Sequence, residues 1–337
     1  MKFGLWLLTQ RQAHQWSQAE LAERLAVSRQ TIIALEKDQH GPSLDLAVRL
    51  SQLFHVSLDQ LVEAVTDPAP QGSLFPSLLR PTGLTPVIWS QIGQRRVLVP
   101  THRIEGTPLP DALWDPETDA VTALPGARRP DHVILAGGCD PFAGWLSQVF
   151  HEHHANLHLE TVRLSSSQAL RAWQEGWLHL AGTHLFDPEL QRYNPDSLAD
   201  VPHLRLPYLT WEEGLLTRPD ERVERLAIRE PGSEAHALFR RHTAQSPAPT
   251  DVFYTHRAIL DTVLHRRGWA GVGLGSLAAP LGLLFEPWAL ESYDLWIRWE
   301  DRHLTWVETL RSALASPRLT ALLAQVPRVG LAQETSR

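Results

Sequence analysis

The sequence has few of the features that mark secreted and membrane proteins. It contains a single cysteine, Cys139, which excludes an intramolecular disulfide and is typical of a reducing compartment. Met1 is followed directly by an amphipathic segment, without a basic stretch and a long apolar run behind it. No apolar run is long enough to span a bilayer. These absences predict a cytoplasmic protein that does not contact a membrane.

The chain also lacks a positive charge balance. Its 337 residues carry a formal net charge of −7, and residues 1–66 hold six Lys and Arg against seven Asp and Glu, a balance of −1. A strongly basic segment would have indicated nucleic-acid binding by charge alone, so such binding has to be argued from a motif. The length predicts two or three domains, and the hydrophobic fraction of 43% is ordinary for proteins with a sizeable core.

Residues 17–36, SQAELAERLAVSRQTIIALE, show the most informative local pattern. Apolar residues recur at helical spacing on both sides of a bend at residues 26–28. Ser17 and Ser28 occupy helix N-cap positions, and Glu20 completes a capping box with Ser17. Two short helices joined in this way predict a helix-turn-helix unit, whose second helix enters the DNA major groove. The candidate cations for DNA contacts are Lys2, Arg11, Arg29 and Lys37.

Composition divides the chain into four segments. Residues 1–66 predict an all-helical bundle, with helices at 3–15, 18–25, 29–38, 44–54 and 58–65. Residues 67–86 are dense in Pro and Gly and predict a linker. Residues 87–130 predict a small β-rich connecting element, with strands at 87–89, 96–99 and 120–124. Residues 131–328 form the fourth segment.

In this last segment strands and helices alternate, which predicts a parallel sheet flanked by helices. Strands are expected at 132–136, 157–162, 178–181, 205–209, 226–229, 251–254, 270–274 and 294–299. Helices are expected at 141–154, from the cap at 165–167 to 175, at 305–314 and at 317–325. The predicted fold class is therefore multidomain, an all-α bundle followed by an α/β domain.

Ligands of open α/β sheets bind beyond the carboxyl ends of the strands. Four such ends here carry small or hydroxyl residues that lead into helices, whose N-termini offer free N–H groups to an anion. Ordinary helix capping explains each end taken singly, and Asp140 and Glu234 would repel an anion. The candidate ligand-binding residues in and near these ends are Gly138, Cys139, Asp140, Ser165, Ser166, Thr183, His184, Tyr193 and Ser233.

Three other patterns are interpreted as structural. His151 and His154 lie three residues apart on a predicted helix, but a solvated helix end explains them better than a metal site. Residues 271–275, G-V-G-L-G, lack the spacing of a dinucleotide loop. Packing is the simplest role for Trp173, Trp177, Trp288, Trp296, Trp299 and Trp306. With no nucleophile–base–acid set in the sequence, neither catalytic residues nor metal ligands are predicted.

The motif S-Q-A-E-L-A followed by V-S-R-Q-T-I-I-A-L-E resembles the DNA-binding domain of Xre/Cro-type repressors. By that resemblance Gln18 and Lys37 would contact phosphates, and the start of the second helix would face base edges. The chemistry agrees, since Arg reads guanine and Gln reads adenine in the major groove. The DNA-contact residues implied are Gln18, Ser28, Arg29, Gln30, Thr31, Ala34 and Lys37.

Residues 131–325 resemble the ligand domain of type II periplasmic binding proteins, in the cytoplasmic variant that is similar to molybdate-binding proteins. The segments that carry the resemblance are L-A-G-G-C-D-P (135–141), H-L-A-G-T-H-L-F-D-P-E (179–189) with Tyr193-Asn194, E-G-L-L (213–216), Arg229 with Gly232-Ser233, G-V-G-L-G (271–275) and E-S-Y-D-L (291–295). The resemblance implies a bilobal ligand-sensing domain over residues 131–328. Lobe one would hold about 131–208 and 288–328, and lobe two about 209–287.

A fusion of these two domains resembles one-component transcription regulators. It implies a cytoplasmic homodimer that binds double-stranded operator DNA, senses a small effector, requires no cofactor and is not an enzyme. Molybdate or tungstate is one effector to consider, but residues 229–235, R-E-P-G-S-E-A, lack the Thr and the second Arg that the family often carries. Another small molecule, or no effector, fits equally well. The alternative is a binding or carrier protein of molybdenum metabolism whose helical domain serves dimerisation.

Overall fold

The computed structural model describes most of the chain, in two compact units. The described residues are 3–37, 39, 41–54, 56, 72–76, 81–106, 108–243 and 248–332. Contacts group Met1–Ile88 with Pro110–Ala127, and Trp89–Leu109 with Arg128–Arg337. Within the described ranges, none of the helices is long and apolar enough to cross a membrane.

The described part of the N-terminal bundle contains the helices α1 (Phe3–Ala13), α2 (Gln18–Arg24), α3 (Arg29–Glu36) and α4 (Leu44–Phe54). Their apolar faces meet in one core, in which Leu7, Ile32 and Leu50 are fully buried. The first four predicted helices are confirmed, three of them one or two residues shorter at the C-terminal end. The fifth, at 58–65, lies outside the described residues.

Local hydrogen bonds begin α2 and α3 where the sequence predicts. Ser17 Oγ accepts from Glu20 N at 3.2 Å, while Ser17 N donates to Glu20 Oε2 at 2.6 Å, which completes the predicted capping box. Ser28 Oγ accepts from Thr31 N at 3.0 Å. Both caps satisfy N–H groups that have no partner within their own helix. The turn between the two helices is therefore specified locally.

Five strands form a small sheet in the order β1-β3-β2-β4-β5. They are β1 (Ser73–Leu74), β2 (Thr85–Ile92), β3 (Arg95–Pro100), β4 (Ala112–Trp114) and β5 (Val121–Ala123). The three strands predicted between residues 87 and 124 are confirmed. Two strands were not predicted, β1 inside the predicted linker and β4, because two or three residues are too few to show an alternating pattern.

The remaining elements belong to the larger unit. Its strands are β6 (Val133–Gly138), β7 (His158–Arg163), β8 (Leu180–Thr183), β9 (Phe186–Asp187), β10 (Arg192–Tyr193), β11 (His203–Thr217), β12 (Arg225–Arg229), β13 (Thr250–Phe253), β14 (Trp269–Leu274), β15 (Leu284–Arg298) and β16 (Val329–Leu331). Its helices are α5 (Ala143–His153), α6 (Ser166–Gln174), α7 (Glu234–His242), α8 (His256–His265), α9 (Thr305–Leu314) and α10 (Pro317–Leu323).

Nine of these eleven strands form one sheet, whose topology makes the unit bilobal, and β9 and β10 pair with each other as a separate antiparallel hairpin, the β9 hairpin. The order is β13-β12-β14-β11-β15-β8-β6-β7, and β16 adds to β11. In lobe one β6 pairs in parallel with both β7 and β8, and in lobe two β12 pairs in parallel with both β13 and β14. The long antiparallel strands β11 and β15 pair with each other and connect the two parallel groups.

The predicted strands at 205–209 and 294–299 are too short. Both β11 and β15 are 15 residues long, and the additional residues include Glu213 and Glu291. Pro207, Gly214 and Pro287 interrupt the alternation of apolar residues that would have revealed the strands. The pairing of β11 with β15 shifts in register beside Pro207 and beside Gly214, so the two strands stay paired past both residues. The predicted lobe boundaries therefore fall inside continuous strands.

Lobe one is packed around large aromatic side chains. Trp173 and Trp296 are fully buried, and Trp306 is 6% exposed, as their predicted packing role requires. Trp299 is 50% exposed, so the packing role predicted for it is wrong. It lies in the short 3-10 helix that follows β15, beyond the edge of the lobe-one core.

Buried His179 makes the stability of lobe one depend on pH. Its Nδ1 accepts from Leu135 N at 3.1 Å, and its Nε2 lies 3.1 Å from Gln91 O. Burial lowers the pKa of His179 to about 4. Because the unfolded chain takes up this proton near pH 6.5, the stabilising contribution is complete above pH 6.5 and is lost as the pH falls toward 4.

We expect His179→Gln to remove about 3 kcal/mol of pH-dependent stability between pH 7 and pH 4. The measurement is urea unfolding of wild type and variant at several pH values in this range. Burial raises the pKa of Asp140 and of Glu291 to about 7, which produces a slope of opposite sign. The difference in pH dependence between wild type and variant therefore measures the contribution of His179 alone. The same pH slope in both proteins would contradict this account.

Candidate functional site

The surface of α3 presents the predicted DNA-contact residues to solvent. Ile32 and Leu35 are fully buried in the bundle core, so the opposite face of α3 points outward. Ser28, Arg29, Gln30 and Lys37 are exposed, and Thr31 and Ala34 are half-buried. Arg29 and Gln30 occupy the first turn of the helix, the part that reaches base edges in helix-turn-helix proteins. The geometry is therefore compatible with the role that the sequence predicts for them.

Two other predicted DNA contacts are engaged within the bundle. Arg11 Nε lies 2.6 Å from Glu36 Oε1, and the Arg11 side chain is only 13% exposed. Gln18 Nε2 donates to Glu36 Oε2 at 2.7 Å. Arg11 is thus an internal ion-pair partner rather than a free cation, contrary to its prediction. Gln18 is half-buried and has to share or break its bond to contact a phosphate. Lys2 lies outside the described residues.

The second candidate site is a buried cluster of ionisable side chains between the two lobes. His184 follows β8 in lobe one, Glu291 lies on β15, and Glu213 lies on the part of β11 that pairs with β14. In the ladder Trp211 is opposite Glu291. Because alternate residues share a face, Glu213 lies on the same face as Trp211 and diagonally across from Glu291. The register of two strands therefore places two carboxyl groups together.

Glu291 is the best-bonded member of the cluster. His184 Nδ1 lies 2.6 Å from Glu291 Oε2, and Trp211 Nε1 donates to the same oxygen at 2.9 Å. Tyr193 OH donates to Glu291 Oε1 at 3.4 Å. On the other side of the imidazole, Cys139 Sγ lies 3.3 Å from His184 Nε2. Of the candidate ligand residues, Cys139, His184 and Tyr193 thus meet around Glu291.

Glu213 differs from Glu291 in receiving no hydrogen bond from a nitrogen or hydroxyl donor of a described residue, and its polar neighbour is the Glu291 carboxyl group itself. Both of its oxygens are buried, and neither accepts a hydrogen bond from a described residue. His256 Nδ1 lies 3.6 Å from Glu213 Oε1, and it too lacks a hydrogen bond among the described residues. A buried polar group without a partner is costly. This carboxyl group is therefore unexplained by packing alone.

The cluster shifts the pKa of each of its acids. Burial raises the pKa of Glu291 to about 7 and raises that of Glu213 well above its usual range, with the neighbouring carboxyl as a further cause for Glu213. Burial alone would lower the pKa of His184, but Cys139 and Glu213 outweigh it and the net shift is upward. Two carboxyl groups in one dry site resist joint ionisation unless a positive charge lies between them.

Four of the predicted ligand residues serve the fold instead. Ser165 and Ser233 cap α6 and α7, and Ser166 Oγ accepts from His184 N at 3.2 Å. Thr183 is fully buried, accepting from Trp296 Nε1 and donating to Asn194 Oδ1. Their hydroxyl groups are therefore occupied by backbone or core partners, which is the capping and packing role that the sequence could not distinguish from ligand contact.

Gly138 and Asp140 make other contacts than those of the cluster. A side chain at Gly138 would meet Tyr293 OH at 2.0 Å, so glycine is required there for the close approach of that ring. Asp140 Oδ1 accepts from Phe142 N at 2.7 Å and lines a small, mainly apolar cavity with Tyr208 and Tyr293. The prediction that these two residues contact the same ligand as His184 is therefore not supported by their positions.

The helix end at His151 is also structural. His151 Nδ1 lies 3.1 Å from Leu157 O, and its ring stacks on His158 at 4.9 Å. Among the described residues, the group with the spacing to hold a metal ion is His184, Glu213 and Glu291. The contacts of His151 thus agree with the interpretation of a structural helix end.

Contacts across the cleft hold the lobes closed around the cluster. Ser167 Oγ donates to Gly232 O at 2.6 Å, and Phe186 N donates to Glu234 Oε2 at 3.1 Å. Glu234 in turn pairs with Arg241 at 2.6 Å. These bonds join the start of α6 and the β9 hairpin to the start of α7, so His184 is 2% exposed and Glu213 and Glu291 are fully buried.

Sequence reasoning missed Glu213, Glu291, Trp211 and His256. The one available signal was an acid within an apolar strand, in E-G-L-L and E-S-Y-D-L. Charged residues are rarely fully buried without a partner, so such an acid indicates a site. That inference required the full extent of β11 and β15, which the sequence did not reveal.

The sequence matches two family models. Residues 147–315, about half of the chain, match the PBP superfamily domain, and residues 7–61 match the helix-turn-helix family. A relative from Methanocaldococcus jannaschii, the uncharacterized HTH-type transcriptional regulator MJ0272, is 45% identical over 51 residues, which are 15% of this chain and 77% of that protein. An uncharacterized HTH-type transcriptional regulator from Methanothermobacter thermautotrophicus is 61% identical over 36 residues, 11% of this chain and 52% of that protein.

Two solved structures show limited similarity to part of this chain. The regulatory domain of CcmR from Synechocystis PCC6803, in complex with 2-PG, is 14% identical with a TM-score of 0.43, covering 54% of this chain and 96% of that one. An ABC-type phosphate transport receptor from Vibrio cholerae is 11% identical with a TM-score of 0.43, covering 57% and 97%.

The chain therefore belongs to the PBP superfamily through its C-terminal domain and carries an Xre-type helix-turn-helix domain at its N-terminus. The predicted Xre-type and periplasmic-binding-protein-like domains are confirmed, whereas the similarity to molybdate-binding proteins stays a prediction. The matched relatives carry the name of HTH-type transcriptional regulators, which agrees with the prediction of a regulatory protein that is not an enzyme.

Asn194 connects the β9 hairpin to both neighbouring strands. Its Oδ1 accepts from Thr183 Oγ1 at 2.8 Å and from Leu185 N at 2.9 Å. Its Nδ2 donates to Thr183 O, Ser292 O and Asp294 Oδ2 at 2.9 to 3.1 Å. The backbone of Asn194 has a φ of 49°, which asparagine tolerates better than most residues. This side chain positions Tyr193 and His184 on either side of Glu291.

We expect Asn194→Ala to lower the free energy of unfolding by about 3 kcal/mol, since several buried groups lose their partner together. The matched control is Gln191→Ala, in the same hairpin and with a φ of 51° but an exposed side chain. It should cost about 0.5 kcal/mol or less. Chemical denaturation of the three proteins measures both. Equal losses in the two variants would show that the hydrogen bonds of Asn194 contribute little.

Proposed function

We propose that this protein is a one-component transcription regulator. Its helix-turn-helix domain would bind operator DNA, and its bilobal domain would bind a small effector at the cluster around Glu213 and Glu291. The observation that supports this proposal is the combination of an exposed recognition helix with a closed two-lobed domain that buries an unpaired carboxyl group. Packing alone gives no reason to retain such a group.

Base contacts would supply much of the operator affinity. Residues 1–66 have a charge balance of −1, so non-specific attraction to phosphates is weak. Arg29 and Gln30 are exposed in the first turn of α3, and each can form a bidentate pair with a base edge. Two copies of the chain would double these contacts on a palindromic site, with half-sites about one helical turn apart. We therefore propose a homodimer as the binding form.

The chemistry of the cluster favours a positively charged effector. Glu213, Glu291 and Glu234 are buried at or beside the cleft, and the nearby Arg229 is bonded through Nε and NH2 to Glu230. An oxyanion would meet carboxyl groups and no unengaged guanidinium. Molybdate and tungstate are therefore not part of the proposal, and the carrier of molybdenum metabolism is the weaker alternative.

Effector binding would act on the orientation of the two lobes. His184 lies in lobe one, and Glu213 lies where β11 pairs with lobe two. A ligand that contacts both is bound more tightly when the lobes are closed, and it shifts the population toward that state. In a dimer this shift would change the spacing of the two recognition helices and hence the affinity for the operator.

We expect Arg29→Ala and Gln30→Ala each to weaken operator binding by about tenfold or more, because each removes a bidentate base contact. The operator is first selected from random duplexes with the wild-type protein, and affinities are then measured by electrophoretic shift at fixed salt. Arg257→Ala is the matched control, since its side chain is 88% exposed on α8 and belongs to the other unit. Unchanged affinity of both α3 variants would contradict the recognition role.

A further inference from the structure

Three buried ligand atoms converge in the cluster. One ligand atom from each of His184, Glu213 and Glu291 lies within 4.8 Å of the other two, a spacing that an ion could bridge. The three residues are 2%, 0% and 0% exposed. They come from three separate elements of the sheet, the end of β8, β11 and β15. Such convergence in the interior is unlike the surface clusters of acids that are common in proteins.

The cations near the cluster are already engaged. Arg229 bonds to Glu230 through two nitrogens, and Arg241 pairs with Glu234. Glu213 keeps two buried oxygens without a hydrogen bond from any described residue, and His256 Nδ1 beside it is equally unpartnered. Both are more than nine-tenths buried. The imidazole of His184 can balance the charge of Glu291, but no described residue supplies Glu213 with a hydrogen-bonded cation.

We propose that His184, Glu213 and Glu291 bind a divalent transition-metal ion, and that this ion is the effector. One imidazole and two carboxylates form a mixed nitrogen and oxygen donor set, which suits Zn²⁺, Mn²⁺ or Fe²⁺. An imidazole ligand is a poor choice for Mg²⁺ or Ca²⁺, which prefer oxygen. Cys139 Sγ, 3.3 Å from His184 Nε2, is a further donor at the edge of the site.

The groups around these ligands are arranged to orient them. Trp211 Nε1 and Tyr193 OH donate to Glu291, and Ser166 Oγ accepts from the backbone N–H of His184. Metal ligands in proteins are commonly held by such hydrogen bonds from surrounding residues. The ion would replace the contact between the His184 and Glu291 side chains with bonds to itself, and it would link lobe one to lobe two through Glu213.

The effector role rests on the proposed function, whereas the ion site does not require DNA. The test therefore begins with metal binding alone. Full-length protein is stripped with a chelator, exchanged into buffer and titrated calorimetrically with Zn²⁺ and with Mn²⁺, and Mg²⁺ serves as the comparison ion. We expect one Zn²⁺ or Mn²⁺ per chain to bind at this site, and Mg²⁺ to bind at least tenfold more weakly.

Glu213→Gln and Glu291→Gln should each weaken this binding at least tenfold. Glu286→Gln is the matched control, because it removes the same charge from an exposed position on the same strand, β15. It should bind the ion as wild type does. Circular dichroism checks that each variant is folded. If a variant does not fold, the test is the electron paramagnetic resonance spectrum of Mn²⁺ bound to the wild-type protein. We expect this spectrum to show coordination by an imidazole nitrogen.

Three results would overturn the metal site. These are no binding to the wild-type chain, unchanged binding in both glutamine variants (which would assign the ion to surface histidines), and Mn²⁺ without a nitrogen ligand. Stabilisation by an organic diamine but not by Zn²⁺ or Mn²⁺ would instead assign the cluster to an ammonium ligand. If the ion binds but the operator affinity does not change with it, the metal site is retained and the effector role is rejected.

Operator binding by Arg29→Ala is measured in a separate experiment. The metal site and the proposed DNA-binding function can therefore fail independently.

Discussion

The antiparallel pairing of β11 with β15 is the constraint on which the larger unit depends. These 15-residue strands run through both lobes and connect two groups of parallel strands that have no other shared ladder. Their register sets Trp211 opposite Glu291, and the pleat then fixes Glu213 on the same face. A slip of one residue in either strand would turn the carboxyl group of that strand to the opposite face and separate Glu213 from Glu291. The shape of the domain and the composition of its buried site therefore have a common origin.

The register of β11 and β15 places the carboxyl groups of Glu213 and Glu291 together where water is excluded. Glu291 is surrounded by donors, from Trp211, Tyr193 and His184, whereas Glu213 receives no hydrogen bond from the described residues. An isolated carboxylate is strongly disfavoured in such surroundings, and a shared proton or a bound cation relieves the conflict. The closing contacts Ser167–Gly232 and Phe186–Glu234 keep water away and strengthen every interaction inside. A ligand that supplies positive charge would thus stabilise the closed arrangement of the lobes.

Much of the fold could be predicted from the sequence, because many of its elements are specified by contacts between residues that are close in sequence. The caps at Ser17 and Ser28 act within three residues, and β6 is a continuous run of apolar residues and glycines. The long strands were underestimated because Pro207, Gly214 and Pro287 break their pattern, which only the ladder shows to be tolerated. The site was predicted in part. His184, Cys139 and Tyr193 meet where a strand end was expected, but Thr183, Ser165 and Ser233 are occupied by capping and packing bonds.

The sequence by itself determined the helix-turn-helix unit and the alternation of strands and helices, because both follow from hydrogen bonds and apolar periodicity among neighbouring residues. Only the tertiary structure decided that His184 meets Glu291, which is 107 residues away, and that Glu213 stands beside them. It also decided that Glu36 holds Arg11 and Gln18 instead of leaving both free for DNA. Pairing over such distances depends on strand register and lobe closure, and neither leaves a mark in the local sequence.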